Sequence, residues 1–127
     1  MTVIGVVQYR NKILLLRRTA NRKSSPGLWQ PVSGFIQERE AAEDAVLREV
    51  KEETGFKGEI TKAGEVFEIS DKWGRWIILT FLVKVKSMKF KLDSKEHSEA
   101  IWILPEEINF KQCVKGVRED LLSLALL

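Results

Sequence analysis

Residues Gly34 to Phe56 read GFIQEREAAEDAVLREVKEETGF. From Glu40 to Glu53 the stretch holds no glycine or proline and is made of good helix formers, and Gly55 follows where a C-terminal glycine stop belongs, so the reading is a helix over 40–53. Set on a helical wheel of about 100° per residue with Ala42 at zero, Ala45, Val46 and Val50 fall at about −60°, +40° and +80°. They mark an inward face. Glu49 and Glu53 then lie at about −20° and +20°, within that apolar stripe, and Glu52 sits on its edge at about −80°. Two ionised carboxylates side by side in an apolar face cost several kcal/mol unless a positive charge or water meets them. Two readings are open on the helix pattern alone. Either the acids face a cation or a water-filled cleft, or they are solvated acids paired with Arg48 and Lys51 on a helix whose buried face centres on Val46 and Val50.

Upstream, Thr2–Tyr9 and Lys12–Arg17 are β-rich runs around Arg10-Asn11, which reads as a hairpin turn. Arg18 to Gly27 is a polar, cation-bearing loop ending in Ser24-Ser25-Pro26-Gly27, followed by the short segment Leu28–Ser33. Downstream, Glu59–Ile69 and Trp76–Lys86 read as strands, Ala100–Leu104 as a further short strand, and Pro105-Glu106-Glu107 as the opening of a helical turn. Val114, Val117, Leu121, Leu122, Leu124 and Ala125 recur at helical spacing. The order argues an α+β fold with a mixed sheet between helices.

The chain has 127 residues, 44% hydrophobic and 31% charged, which suits one domain over residues 1–127 and excludes disordered, collagen-like and low-complexity classes. No apolar run reaches the ~18–20 residues of a membrane span, and the N-terminus lacks the basic and apolar regions of a signal peptide, so a cytoplasmic location away from membranes is expected. Cys113 and His97 are the only cysteine and histidine. There is no internal disulfide and no Cys/His set for structural zinc, so a metal would be held mostly by oxygen. Between Glu38 and Glu53 seven acids meet three bases, although the whole chain carries +3. An acidic centre in a basic surround fits a divalent cation with a polyanionic small molecule better than it fits nucleic acid.

Gly34, Glu40, Arg48, Glu49, Val50, Glu52, Glu53, Gly55 and Phe56 together fit the pattern G-x5-E-x7-R-E-U-x-E-E-x-G-U, where U is apolar. A chance match at a given start is on the order of 10⁻⁸ from composition. This is the Nudix box, and the chain resembles the Nudix hydrolases, which cleave nucleoside diphosphates linked to another moiety. Arg17-Arg18, Trp29-Gln30-Pro31, Glu96 and Trp102 extend the resemblance across most of the chain. It implies an α/β/α sandwich, Mg²⁺ or Mn²⁺ dependence, and attack of a metal-activated water on a phosphoanhydride. Non-hydrolytic and RNA-decapping members are also known.

Glu49, Glu52 and Glu53, at i, i+3 and i+4, converge their oxygens on one patch, a hard-ligand arrangement that suits Mg²⁺. The resemblance makes them catalytic carboxylates and metal ligands, with Arg48 orienting them, Glu40 supporting the loop, and the backbone carbonyl of Ser33 facing the metal where many relatives carry glycine. It also makes Arg18 a phosphate contact, against the alternative of a solvated strand-end charge. Glu96, ahead of Trp102, becomes an additional metal ligand or base, preferred to Glu99. Trp29, Trp73, Trp76 and Trp102 read as packing residues with base stacking reserved for one of them, and Trp29 is assigned to substrate. His97 is expected at the surface or as a local hydrogen-bonding partner, and Cys113 as packing.

The family's ADP-ribose proline, its coenzyme A signature and its dinucleoside polyphosphate tyrosine are all missing. Trp29-Gln30-Pro31-Val32-Ser33-Gly34 and Glu96-His97 look most like the dihydroneopterin triphosphate and dATP pyrophosphohydrolase branch. The expected substrate is a nucleoside triphosphate, hydrolysed to monophosphate and pyrophosphate by a monomer or homodimer. The alternatives are a dinucleoside polyphosphate or nucleotide-sugar hydrolase, or a non-catalytic nucleotide- or RNA-binding domain.

Overall fold

The apolar alternation of the first strand decides how the layers stack. In a computed structural model describing all 127 residues, β1 (Thr2–Tyr9) sends Val3 and Val7 to one face of the sheet and Ile4 and Val6 to the other. Both faces are covered, as this double-sided apolar pattern requires. β2 (Lys12–Arg18) repeats the division, with Leu14 and Leu16 on the first face and Ile13 and Leu15 on the second. Arg10 turns the hairpin at φ 56°.

The remaining strands are β3 (Trp29–Gln30), β4 (Val32–Phe35), β5 (Glu59–Ala63), β6 (Phe67–Asp71), β7 (Gly74–Lys84) and β8 (His97–Ile103). All eight join one mixed sheet with a central order β3-β2-β1-β7-β5. β1 runs parallel to β7 from Thr2 opposite Ile78 to Gln8 opposite Lys84. Its other edge is shared antiparallel by β4, at Thr2–Gly5, and by β2, at Gln8–Tyr9. Ser33, Gly34 and Phe35 of β4 border a cavity.

Helix α1 (Ala42–Thr54) covers the first face through Ala45, Val46 and Val50, and α2 (Val117–Ser123) covers the second through Val117 and Leu121. Each fully buried Leu or Val of these layers contributes about 1.5–3 kcal/mol of hydrophobic stabilisation. The mixed sheet between helices is the α/β/α sandwich expected of the sequence. Gly55 ends α1 at φ 78° and donates its N–H to Lys51 O, the left-handed stop read from the sequence.

Several boundaries differ from the sequence reading: β7 runs Gly74–Lys84 rather than Trp76–Lys86, β8 begins at His97 rather than Ala100, and three further differences have identifiable causes. Glu59–Ile69 is two strands rather than one, because β5 and β6 pair with successive parts of the same β7 edge. The C-terminal helix starts only at Val117: Gly116 has φ 103°, and Val114 N donates to Trp29 O instead of entering the helix. Helix α1 starts at Ala42, leaving Glu40 in the preceding loop.

Candidate active site

Helix α1 presents its acids as the wheel placed them. Glu53 is 2% exposed and Glu49 is largely covered, whereas Glu52 is open to solvent and reaches Arg48 at 3.4 Å. Glu49 and Glu53 are therefore not solvated surface acids. Arg48 is the brace between helix and loop. Its Nε and Nη2 donate to the two oxygens of Glu40 at 2.8 and 3.0 Å, its Nη2 to Phe35 O at 3.1 Å, and its Nη1 to Glu49 Oε1 at 2.7 Å. The bidentate fork suits arginine and no other cation. It holds the Glu40 carboxyl at about 2, helped by the backbone N–H of Gln37, and these contacts raise the Arg48 guanidinium above its usual value.

Gly34 lies directly against this carboxylate group. A β-carbon there would overlap the Glu49 carboxyl carbon, so glycine is the residue that lets the β4 backbone approach the helix acids.

Both oxygens of Glu53, and Nδ1 of His97 at 3.6 Å from Glu53 Oε1, are buried without a hydrogen-bond partner. Burial first, and then the charge of neighbouring Glu49, push the Glu53 carboxyl up to about 10. Orphaned buried oxygens beside a second carboxylate are what a hard divalent cation satisfies. One ligand atom from each of Glu53, Glu96 and His97 falls within a 4.8 Å cluster. The residues present thus fit the metal that the resemblance implies.

Of these, Glu53 and Glu96 line a cavity of about 310 Å³. Its lining includes the charged Glu49, Glu53, Glu96, Arg18 and Arg22 together with Ser33 and Gly34, and the apolar Phe67, Ile69, Trp76, Ile78 and Val117 together with Asp120. Asp120 is 4% exposed, accepts a hydrogen bond from Thr80 Oγ1 at 2.7 Å, and is pushed up to about 7 by burial against the lowering effect of that bond.

Of the residues singled out in the sequence, Glu49, Glu53, Glu96, Arg18 and Ser33 meet at this cavity, whereas Glu52, expected to converge on the same patch, does not line it and turns its exposed carboxylate to Arg48. Arg18 is buried, so the solvated strand-end reading is corrected. Its guanidinium donates to Ser24 O, Ser24 Oγ and Gln30 Oε1, and burial, with Arg22 nearby, lowers its pKa. Trp29 does not line the cavity. Strand alternation turns Gln30 toward the α1 face and Trp29 away from it, where the ring packs on the second core layer under the Arg17 guanidinium at 5.9 Å. The tryptophan at the cavity is Trp76. Glu99 lies outside it, paired with Arg17 at 3.2 Å. Cys113 is buried packing.

His97 is 1% exposed, which corrects the surface half of its reading and keeps the hydrogen-bonding half: its Nε2 meets Gln30 Nε2 at 3.3 Å. Burial first, then Arg22 and Arg18, push the imidazole down to about 4. Gln30, Arg22 and Asp120 were given no role from sequence. The one available signal was Asp120, an acid set among Val117, Leu121 and Leu124 on the inward face of α2.

A family model described as NUDIX domain matches residues 1–123. The "ADP-ribose pyrophosphatase" of Methanocaldococcus jannaschii is 33% identical over 76% of this chain, which spans 58% of that relative's length. The "CTP pyrophosphohydrolase" of Escherichia coli is 29% identical, with 83% of this chain and 76% of the relative covered. Among solved structures, a MutT NUDIX hydrolase from Burkholderia pseudomallei superposes with a TM-score of 0.84 at 21% identity, covering 97% of this chain and 95% of that one. No helix is long and apolar enough to cross a membrane.

Proposed function

The chain belongs to the Nudix family, and on that premise we propose that it is a pyrophosphohydrolase that converts a nucleoside triphosphate to the monophosphate and pyrophosphate. The observation that carries the reading is Glu53, a buried carboxylate with both oxygens unpartnered, beside Glu49 in a cavity that also holds Arg18 and Arg22.

Glu49, Glu52, Glu53 and Glu96, with the Ser33 backbone, would hold Mg²⁺ or Mn²⁺, which when bound lowers the pKa of water and offsets charge on the transferred phosphoryl group. Arg48 keeps the Glu49 carboxylate in place and ties it to the loop through Glu40. Arg18 and Arg22 supply positive charge on the same side for the phosphate chain. A water oxygen forms the new P–O bond, the anhydride P–O bond breaks with pyrophosphate leaving, and Glu96, exposed at the mouth, takes the water's proton. Trp76, Phe67 and Ile69 offer flat apolar surface to a base, with Asp120 as a polar contact beside them.

The "CTP pyrophosphohydrolase" relative supports the triphosphate reading. The name of the archaeal relative favours a nucleotide-sugar alternative. The full set of Glu49, Glu52 and Glu53 argues against a pure binding domain, which has no need of it. Incubating the protein with Mg²⁺ and a panel of nucleoside triphosphates, nucleotide sugars and dinucleoside polyphosphates, then identifying every phosphorylated product by chromatography, separates these readings. Fastest turnover of a triphosphate is the expected result. Turnover confined to sugar or dinucleoside compounds would replace it.

A further inference from the structure

Arg18, Gln30, His97 and Glu53 form a continuous line of polar side chains. Arg18 Nη1 lies 3.4 Å from Gln30. A guanidinium only donates, so the Gln30 atom facing it is the amide oxygen, and the amide NH₂ is turned toward His97. That NH₂ lies 3.3 Å from His97 Nε2. An amide nitrogen also only donates, so Nε2 accepts and the single proton of the neutral ring resides on Nδ1. An imidazolium would set a second N–H against the Gln30 NH₂. Nδ1 has no other partner, and the oxygen it faces is Glu53 Oε1 at 3.6 Å. This is a few tenths of an ångström beyond a full hydrogen bond, which a small rotation of the Glu53 side chain closes.

The backbone is built to bring His97 there. Arg17 opposes Glu99 and Arg18 opposes His97, so the register skips Ser98. Regular alternation would put Ser98 opposite Arg18, and the bulge puts the imidazole in its place.

We propose that His97 is a positioning residue whose Nδ1–H, fixed in that tautomer by Gln30, orients Glu53 and so keeps His97 itself out of the cation's ligand set. The proximity of Glu53, Glu96 and His97 frames the competing arrangement, a nitrogen ligand. Ligation would require Nδ1 bare, and the Gln30 amide opposes that. The proposal rests on the hydrolase reading only for what Glu53 does once oriented; the tautomer itself is independent of turnover.

His97 is the only histidine in the chain, so a two-bond ¹H–¹⁵N correlation spectrum of the ¹⁵N-labelled protein shows one imidazole. The expected pattern at neutral pH is a protonated Nδ1 and a bare Nε2, unchanged when Mg²⁺ is added. A protonated Nε2, or loss of the Nδ1 proton on adding Mg²⁺, overturns the proposal. In the second arm, His97→Leu is expected to weaken Mg²⁺ binding by calorimetry about 10- to 100-fold and to lower kcat with little change in KM. His97→Asn, whose NH₂ can replace the Nδ1–H, is expected to recover most of both. Equal Mg²⁺ affinity in wild type and His97→Leu overturns the positioning role. Should neither variant fold, the wild-type spectrum decides alone. A correct tautomer in a protein that hydrolyses no nucleotide would count against the hydrolase reading and leave the tautomer standing.

Discussion

Gly34 and Glu49 are packed so closely that a β-carbon on Gly34 would overlap the Glu49 carboxyl carbon. The obstacle is the end of a flexible side chain, and Gly34 is not among the glycines with positive φ. Gly34→Ala is therefore expected to fold, with a loss of about 1 kcal/mol, while the added methyl displaces Glu49 from its place beside Arg48. Turnover should fall at least about tenfold. Steady-state kinetics alongside a thermal melt checks this, and unchanged kcat would mean that the position of Glu49 is not critical.

Glu53 holds its proton far more tightly in the fold, at about 10 against an ordinary 4.5. A raised carboxyl contributes stability that is present below its unfolded value and lost as pH rises through the folded one. The metal-free protein should therefore lose stability as pH climbs from about 5 to 10, and Glu53→Gln should reduce that slope and raise Tm by on the order of a few °C above neutral pH. The same change should cut kcat by orders of magnitude. Melts in chelator across this pH range test the first part.

Glu96 lines the cavity, and Glu99 spends its charge on Arg17 at the surface. Glu96→Gln is expected to lower kcat at least about tenfold with Tm nearly unchanged, and Glu99→Gln to stay near wild type. The reverse ranking in kcat would remove Glu96 from the chemistry.

Asp120 is pushed up from 3.8 to about 7 by burial. Its contribution is present below pH 3.8 and lost as pH rises through about 7, because the folded chain keeps a proton that the unfolded chain releases. Asp120→Asn copies the neutral acid, so the difference in Tm between variant and wild type should grow in the variant's favour between about pH 5 and 8. Parallel curves would show that Asp120 is ionised in the fold at all these values.

Much of this site was legible because helix periodicity is local. The spacing of Ala45, Val46 and Val50 fixed where Glu49, Glu52 and Glu53 would point, and the burial of Glu53 and exposure of Glu52 follow that wheel. The burial of His97 was not foreseen, because it depends on a bulge that rephases β8 against β2, a property of strand pairing rather than of the run itself. The break after Ala63 is similarly non-local. A β-carbon on Gly64 would collide with Ser123 near the end of α2, and the Gly64 N–H is committed to Thr80 O. Trp29 was assigned to substrate as one of four tryptophans, and only sheet alternation decides that Gln30 faces the α1 side while Trp76 reaches the cavity.

The most direct measurement is pyrophosphate release from a nucleoside triphosphate by wild type and Glu53→Gln, each with Mg²⁺ and with excess chelator. The expected result is monophosphate and pyrophosphate in equal amounts from wild type with Mg²⁺, and a rate lower by orders of magnitude in the other three reactions. Equal rates with Mg²⁺ and chelator, or orthophosphate and a diphosphate as the products, would contradict the account.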